Sequence, residues 1–212
     1  VKEIAAGELE ANAADLEISG GRVRIAGTDR GIDLSAVAQS KKATAALLNT
    51  TGEFAPPEAT YPNGTHVVEV EIDPQTGTTT IENYVMVDDF GATLNPLLLA
   101  GQVHGGVGQG IGQALLENTV FSDDGQLITG TFNDYNMPKA DDMPFFHFET
   151  RNVPCATNLL GVKGAGEAGS IGSCPAVMNA VVDALNRGFG VQHIDMPATP
   201  ARIFETIRNA TR

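Results

Sequence analysis

The chain has 212 residues, of which 42% are hydrophobic and 18% charged, and its formal net charge is −13. This length and composition are ordinary for a globular protein with one sizeable core. They exclude nucleic acids and anionic membrane surfaces as expected partners, because clusters of Lys and Arg, which bind phosphate, are missing. No apolar run approaches the roughly 18 residues that a transmembrane helix needs, so no membrane-spanning segment is predicted.

The two cysteines, Cys155 and Cys174, form no C-x-x-C motif and no paired framework. This pattern favours a reduced, cytoplasmic setting, although a disulfide between the two stays open. The chain starts at Val1 without a methionine, in a segment that already has a helical pattern. A cut or trimmed beginning is therefore expected.

Residues 1–40 predict a helix followed by a hairpin. The helical pattern covers residues 4–9, and alternating segments at 16–18 and 23–25 flank Gly20-Gly21, a typical two-residue hairpin turn. Residues 34–38 predict a further helical turn. Residues 41–64 contain three prolines and show no periodicity, so they predict a long loop.

Residues 65–212 are predicted to form the core of the protein. Period-2 alternation predicts a hairpin from His66–Asp73 and Thr79–Val87, and helical periodicity predicts a long helix over Leu97–Asn118. Later elements are a hairpin at 119–131, strands at 145–151 and 191–194, a helix at 176–185 with Pro175 in its first turn and Ser173 as its cap, and a final helix at 199–207. Hairpins mixed with separate helices indicate an α+β fold with layered, mixed sheets.

The long predicted helix carries a stripe of four glycines, Gly101, Gly105, Gly108 and Gly112. Each glycine inside a helix costs about 1 kcal/mol relative to alanine, so the stripe predicts a close contact that offsets this cost. Packing against another helix and contact with a cofactor both explain it, and the two remain open. A neighbouring stripe presents glutamines, including Gln102.

Gly161 to Glu167 form a glycine-rich loop with a single carboxylate, Glu167. Residues 164–169 match the G-x-G-x-x-G pattern of dinucleotide-binding folds, but residues 158–163 make a poor strand and Glu167 would repel a pyrophosphate. A binding loop of another kind is therefore favoured. An alternative role for Glu167 is only to favour the dipole of the following helix.

Other polar residues carry less signal. The four histidines are scattered and lack partner cysteines, so no metal site made of protein ligands is predicted. Each histidine is expected to be exposed or hydrogen-bonded. The pairs Asp88-Asp89 and Asp141-Asp142 are interpreted as structural turn residues.

Several segments together resemble the xanthine oxidase family of molybdenum hydroxylases, most of all the large subunits of aerobic carbon monoxide dehydrogenases. The resemblance rests on the glycine-rich loop with the helix after it and on five further motifs. These are Asp88-Asp89-Phe90-Gly91, Leu94-Asn95-Pro96, Gly101-Gln102-Val103-His104-Gly105-Gly106, residues 109–117 (QGIGQALLE) and His193-Ile194-Asp195-Met196-Pro197. Together they cover most of the chain.

The resemblance implies that the chain is the C-terminal molybdopterin-binding domain of a molybdenum-dependent oxidoreductase that adds oxygen from water to its substrate. Glu167 then matches the family's catalytic base, and Gln102, Gly164, Ala165 and Gly166 match residues close to the cofactor. The implied cofactor is molybdopterin in its cytosine dinucleotide form with molybdenum, and copper in addition if the enzyme is of the carbon monoxide type. The isolated chain is expected to bind neither.

The implied partners are the rest of the large subunit, iron–sulfur and flavin subunits and a small-molecule substrate. The substrate itself, whether carbon monoxide, an aldehyde or an N-heterocycle, is not identified by these residues. A different hypothesis is that the 212 residues are a non-catalytic domain that only folds or self-associates.

Overall fold

The computed structural model describes residues 1–49 and 51–211. The chain divides into two units, Val1–Ala55 and Pro56–Arg212. Each unit has its own hydrophobic cluster. The described residues therefore form two cores, where the chain length suggested one. Both units combine helices with small sheets, and the α+β prediction is confirmed.

The first unit contains the predicted helix and hairpin. Its elements are helix α1 (Lys2–Leu9), strands β1 (Leu16–Ser19), β2 (Arg22–Ile25) and β3 (Gly31–Asp33), and helices α2 (Leu34–Gln39) and α3 (Ala45–Leu48). Gly20 and Gly21 have φ of 57° and 76°, as the predicted turn between β1 and β2 requires. The sheet order is β1-β2-β3, all antiparallel. The cluster buries Ile4, Leu16, Val23 and Val37.

The segment 41–64 was expected to be a loop throughout, but it contains α3 and the first residues of a strand. Thr50, which falls within this segment, lies outside the described residues.

The second unit is built on a mixed sheet. Its strands are β4 (Asn63–Ile72), β5 (Thr79–Asp89) and β6 (Phe146–Thr150). The predicted hairpin of β4 and β5 is confirmed, with a bulge between Glu69 and Val70. Strand β6 is also confirmed, and it pairs in parallel with β5, which the sequence did not indicate.

Three helices complete the second unit: α4 (Pro96–Ile111), α5 (Ala168–Phe189) and α6 (Pro200–Ala210). The predicted α6 cap is confirmed, since Thr199 Oγ1 accepts from Arg202 N at 3.4 Å. The core is formed by fully buried residues from the sheet and all three helices. They include Tyr84, Met86, Val103, Val107, Ile111, Val177, Val181, Leu185 and Ile203.

The prediction of one α-helix over Leu97–Asn118 is wrong at its C-terminal end. The α-helical part ends at Ile111, and Gly112–Leu116 form a π-helical turn. Glu117 N donates to Gly112 O, five residues earlier, at 2.8 Å. This wider turn ends the helix near the segment before α6, where Ala198 N donates to Ala114 O at 2.7 Å.

The predicted start of α5 is also wrong. The helix begins at Ala168, and Pro175 lies inside it rather than in its first turn. Ser173 is buried and donates to Ser170 O at 3.3 Å instead of capping the helix. The earlier start follows from packing, because an added Cβ at Gly169 would lie 2.8 Å from Val107 N of α4.

Two smaller predictions differ from the structure. No strand forms in the described segment 191–194. In segment 119–131, the predicted hairpin is reduced to a turn with one isolated bridge between Phe121 and Leu127. Among the described residues, no helix combines the length and the apolar character needed to cross a membrane.

The glycine stripe predicted on α4 is only partly in contact with other residues. At Gly101 and Gly105, no described atom beyond the same helical turn lies within 4 Å of an added Cβ. The close contacts to α5 are made by Gly106 and Gly110, which lie on the adjacent face and are buried. Of the two explanations left open for the stripe, packing against another helix therefore does not hold for Gly101 and Gly105 among the described residues.

Candidate functional site

The first residues of the glycine-rich loop lie against the segment that follows the C-terminal end of β5. Gly91 and Val162 form an isolated antiparallel bridge, and Lys163 N donates to Phe90 O at 2.9 Å. Gly91 has φ of 64°, and a Cβ there would overlap Gly161 O, so the two segments approach as closely as only glycine allows. The first three residues of the loop are thus attached to the sheet.

A buried ion pair strengthens this attachment. Lys163 Nζ lies 2.6 Å from Asp89 Oδ2, and only 12% and 9% of the two side chains are exposed. Asp89 Oδ1 also accepts from Gly91 N at 2.9 Å and from Val153 N at 3.0 Å. Burial raises the pKa of Asp89, but the hydrogen bonds from Lys163, Val153 and Gly91 outweigh it and lower the pKa to about 2.

The prediction that Asp88 and Asp89 are turn residues is wrong. Both belong to strand β5 and are buried, with 4% and 7% of their surface exposed. The pair Asp141-Asp142 does match its structural interpretation, since it forms a short 3₁₀ turn in which Asp142 accepts from Lys139 N at 2.7 Å.

The tip of the loop is held by residues far away in sequence. Gly164 N donates to Thr60 Oγ1 at 3.2 Å, and Gln102 Nε2 of α4 donates to Gly166 O at 3.1 Å. The structure thus brings together Gln102 and the loop, 64 residues apart. Ala165 is half-buried and packs against the core, whereas Gly164 and Gly166 are exposed.

Glu167 follows directly and is the N-cap residue of α5. Its carbonyl oxygen accepts from Ile171 N at 2.9 Å and from Ser170 Oγ at 3.0 Å. Its exposed side chain makes no capping hydrogen bond within the described chain. The backbone of Glu167 is fixed by the helix, and its exposed carboxylate is not used to cap that helix.

A cleft of about 680 Å³ lies next to Glu167. Its walls are the segment 60–64 before and at the start of β4, the loop at Gly164 and Gly166, and one face of α5 from Ala168 to Asn179. His66 and Asp88 also line it. The cleft is therefore bounded by three separate parts of the chain and carries two carboxylates, those of Asp88 and Glu167.

His66, Tyr84 and Asp88 form a buried polar cluster beside this cleft. His66 Nδ1 lies 2.9 Å from the Tyr84 hydroxyl, and His66 Nε2 lies 3.4 Å from Asp88 Oδ1. Burial and then the Asp88 carboxylate raise the pKa of Tyr84, so the phenol stays protonated. Asp88 Oδ2 has no hydrogen-bond partner among the described residues. Sequence reasoning did not find this cluster, because its members come from two paired strands, with Tyr84 and Asp88 two residues to either side of Met86, which pairs with His66.

The surface around Gln102 and the loop tip suits a bound group that approaches the backbone. Added Cβ atoms at Gly101, Gly105 and Gly166 would meet no described atom within 4 Å beyond their own turns. The amide of Gln102 carries two N–H groups, of which the bond to Gly166 O uses one. A cofactor with polar oxygen atoms therefore fits this face.

The remaining candidates do not form a metal site. Within residues 1–49 and 51–211, no group of three or more His, Cys, Asp or Glu side chains could hold a metal ion. His193 lies 2.9 Å from Asp195, as expected for a hydrogen-bonded surface histidine. His104 differs, since its ring packs edge-on against Phe146 and Phe148 and its Nε2 is buried without a described partner. Cys155 and Cys174 are free thiols.

Known proteins match this chain over most of its length. A family model described as molybdopterin cofactor-binding domain matches residues 1–144. The carbon monoxide dehydrogenase large chain of Hydrogenophaga pseudoflava is 32% identical over 98% of this chain and 26% of its own length. The 6-hydroxypseudooxynicotine dehydrogenase complex subunit gamma of Paenarthrobacter nicotinovorans is 35% identical, covering 96% of this chain and 26% of that subunit.

Solved structures agree with these matches. The crystal structure of a Cu,Mo-CO dehydrogenase in its carbon monoxide reduced state superposes with a TM-score of 0.82 and 27% identity, covering 99% of this chain and 27% of that one. The chain thus spans about a quarter of the length of these relatives. The matches confirm the resemblance inferred from the motifs, and the chain belongs to the molybdopterin cofactor-binding domain family, as a domain of the xanthine oxidase type.

Proposed function

We propose that this chain is the C-terminal molybdenum-cofactor domain of the large subunit of a molybdenum hydroxylase, and that Glu167 is its catalytic base. The observation that carries the proposal is the position of Glu167. It is a free, exposed carboxylate that follows a loop fixed to the sheet and to Gln102, beside an open glycine face. The family of this chain is described as a molybdopterin cofactor-binding domain, so the group that this face would bind is molybdopterin.

The residues of the loop and of α4 would hold the cofactor. When bound, the molybdenum centre supplies the redox chemistry that removes two electrons from the substrate. Gln102 would donate its remaining N–H to an oxygen of the cofactor. Gly164 and Gly166 would keep the approach free of side chains, and Ala165 would keep the loop seated on the core.

Glu167 would take the proton from the water-derived nucleophile as this attacks the substrate. A positioned base of this kind typically contributes a factor of about 10² to 10⁴ to the rate. The backbone of Glu167 is held at the start of the 22-residue helix α5, and its side chain is not used as a helix cap, so it is available for this role.

The remaining parts of the proposal concern what lies outside this chain. The partners would be the rest of the large subunit together with iron–sulfur and flavin subunits in the cytoplasm. The cofactor would carry the cytosine dinucleotide, with copper added if the substrate is carbon monoxide. The substrate class stays open between carbon monoxide and organic compounds, since similar chains are named for carbon monoxide and for 6-hydroxypseudooxynicotine.

The variant Glu167→Gln tests the base directly in the assembled enzyme. The carboxamide keeps the shape and loses the basicity, so we expect kcat to fall by at least about 10² with an unchanged molybdenum content. Glu205→Gln is the matched control, because Glu205 is an exposed residue of α6. Turnover of Glu167→Gln close to that of the control, at equal molybdenum content, would show that Glu167 is not the base.

A further inference from the structure

We infer that Lys163 and Asp89 are a positioning pair that fixes the glycine-rich loop and thereby places Glu167. This inference rests on the proposed function, in which Glu167 is the base. Neither residue would touch the cofactor or the substrate. They act through the backbone, since Lys163 is the last residue attached to the sheet before the loop tip.

The first step of the argument is the number of bonds that converge on Asp89. Its two oxygens receive the Lys163 ammonium at 2.6 Å, Gly91 N at 2.9 Å and Val153 N at 3.0 Å. Asn63 Nδ2 adds a longer contact at 3.5 Å. These donors belong to the start of β4, the segments after β5 and β6, and the loop. One buried carboxylate therefore joins four separate segments of the chain.

The second step is that Lys163 is attached twice. Its side chain reaches Asp89, and its backbone N–H donates to Phe90 O at 2.9 Å. Both bonds lead to the same end of β5. The direction in which the chain leaves the sheet is thus set at Lys163, four residues before Glu167.

The third step concerns the residues between Lys163 and Glu167. Gly164 and Gly166 have no side chain to restrict the backbone, and Ala165 contributes one methyl group to the core. Their described hydrogen bonds to other segments are those from Gly164 N to Thr60 and from Gln102 to Gly166 O. The position of Glu167 therefore depends on these two bonds, on the start of α5 and on the fixed point at Lys163, which is the one of them that attaches the loop to the sheet.

The charge of Lys163 matters as well as its bonds. Removing one partner of a buried ion pair leaves the other charge without compensation, which disturbs the structure around it. At Lys163 that disturbance falls on the loop. Misplacing a catalytic group by about 1 Å can lower the rate by about 10²-fold, so a loop shift should appear in kcat.

The experiment uses Lys163→Met, which keeps all but the last atom of the side-chain length and removes the charge, and Lys163→Arg, which keeps the charge. Asp183→Asn is the matched control, because it breaks the exposed ion pair with Arg187, at 2.9 Å, in the later part of α5. Two quantities are measured in the assembled enzyme. They are the hydrogen exchange of amides 163–168 by mass spectrometry, and kcat and KM at several pH values.

For Lys163→Met we expect exchange at 163–168 to accelerate at least about tenfold while the strands β4 and β5 keep their protection. We expect kcat to fall by about 10 to 10² with KM within about twofold and with an unchanged molybdenum content. Lys163→Arg should lie between Lys163→Met and the wild type in both quantities. Asp183→Asn should match the wild type.

Unchanged exchange at 163–168 in Lys163→Met would overturn the inference, as would faster exchange with an unchanged kcat. If Lys163→Met does not fold, Lys163→Arg decides: faster exchange at 163–168 together with a lower kcat supports the pair, and wild-type exchange or wild-type kcat in that variant overturns the inference. The proposed function fails separately, if the wild-type enzyme has no molybdenum-dependent turnover. Hydrogen exchange would then still show whether the pair fixes the loop.

Discussion

The contact between α4 and α5 makes a quantitative prediction for two neighbouring glycines. In Gly106→Ala the added Cβ would lie 2.9 Å from Ser170 N and 3.0 Å from Gly169 Cα. Both are backbone atoms of α5, so they cannot rotate away as the end of a side chain could. In Gly105→Ala the Cβ meets no described atom within 4 Å beyond its own turn.

The magnitude follows from comparing the two substitutions. Replacing a glycine by alanine inside a helix gains about 1 kcal/mol, and this term is the same at both positions. Overpacking adds a cost of about 1 to 3 kcal/mol at Gly106 alone. The free energies of unfolding of the two variants should therefore differ by this cost, with Gly105→Ala the more stable.

Thermal unfolding of the 212-residue chain, followed by circular dichroism, measures this difference. For a chain of this size, 1 kcal/mol corresponds to about 2 to 4 °C in Tm, so the variants should be separated by roughly 2 to 12 °C. Gly105→Ala should melt at or slightly above the wild type. If Gly106→Ala were as stable as Gly105→Ala, α4 and α5 would not approach as closely as the structure indicates.

Two further predictions concern the pH dependence and the cofactor. The pKa of Asp89 is lowered from 3.8 to about 2 in the folded chain, so its contribution to stability is present above about pH 4 and is lost as the pH falls through 2. The destabilisation by Asp89→Asn should accordingly shrink between pH 5 and pH 2 in urea titrations, and a constant difference would contradict the assignment. The second prediction is that the isolated chain binds no molybdenum, because a cofactor held from two sides loses most of its contacts when one side is missing. Mass-spectrometric metal analysis tests this, and stoichiometric molybdenum would show that the site is complete within these residues.

Local sequence patterns predicted the elements whose signals are short-range. The hairpin of β4 and β5 has period-2 alternation with one bulge, and the turn between β1 and β2 has two glycines at positive φ. The start of α6 has a Thr-Pro cap. In each case the responsible residues are adjacent in sequence, so the pattern contains the information that determines the structure.

The start of α5 could not be predicted in this way. Pro175 is a good signal for a first helical turn, but the helix begins seven residues earlier because Gly169 fits against the backbone of α4. The same contact explains why Gly106 and Gly110, rather than Gly101 and Gly105, are the packed glycines. Helical spacing groups residues by face, and only tertiary packing decides which face is covered.

In the candidate site, too, the residues of the motif are visible in the sequence, whereas the residues that position them come from distant segments. The motif around Glu167 predicted the candidate carboxylate, because a single acid in a glycine-rich loop is visible in the sequence. It could not identify what holds that acid in place. Fixing each backbone residue costs about 1 to 2 kcal/mol in conformational entropy, and glycines in the loop contribute little packing to offset it. The compensating contacts must therefore come from other segments, and they do so from Thr60, Asp89 and Gln102. A loop that is bare enough to admit a cofactor has to be positioned by residues that its own motif does not contain.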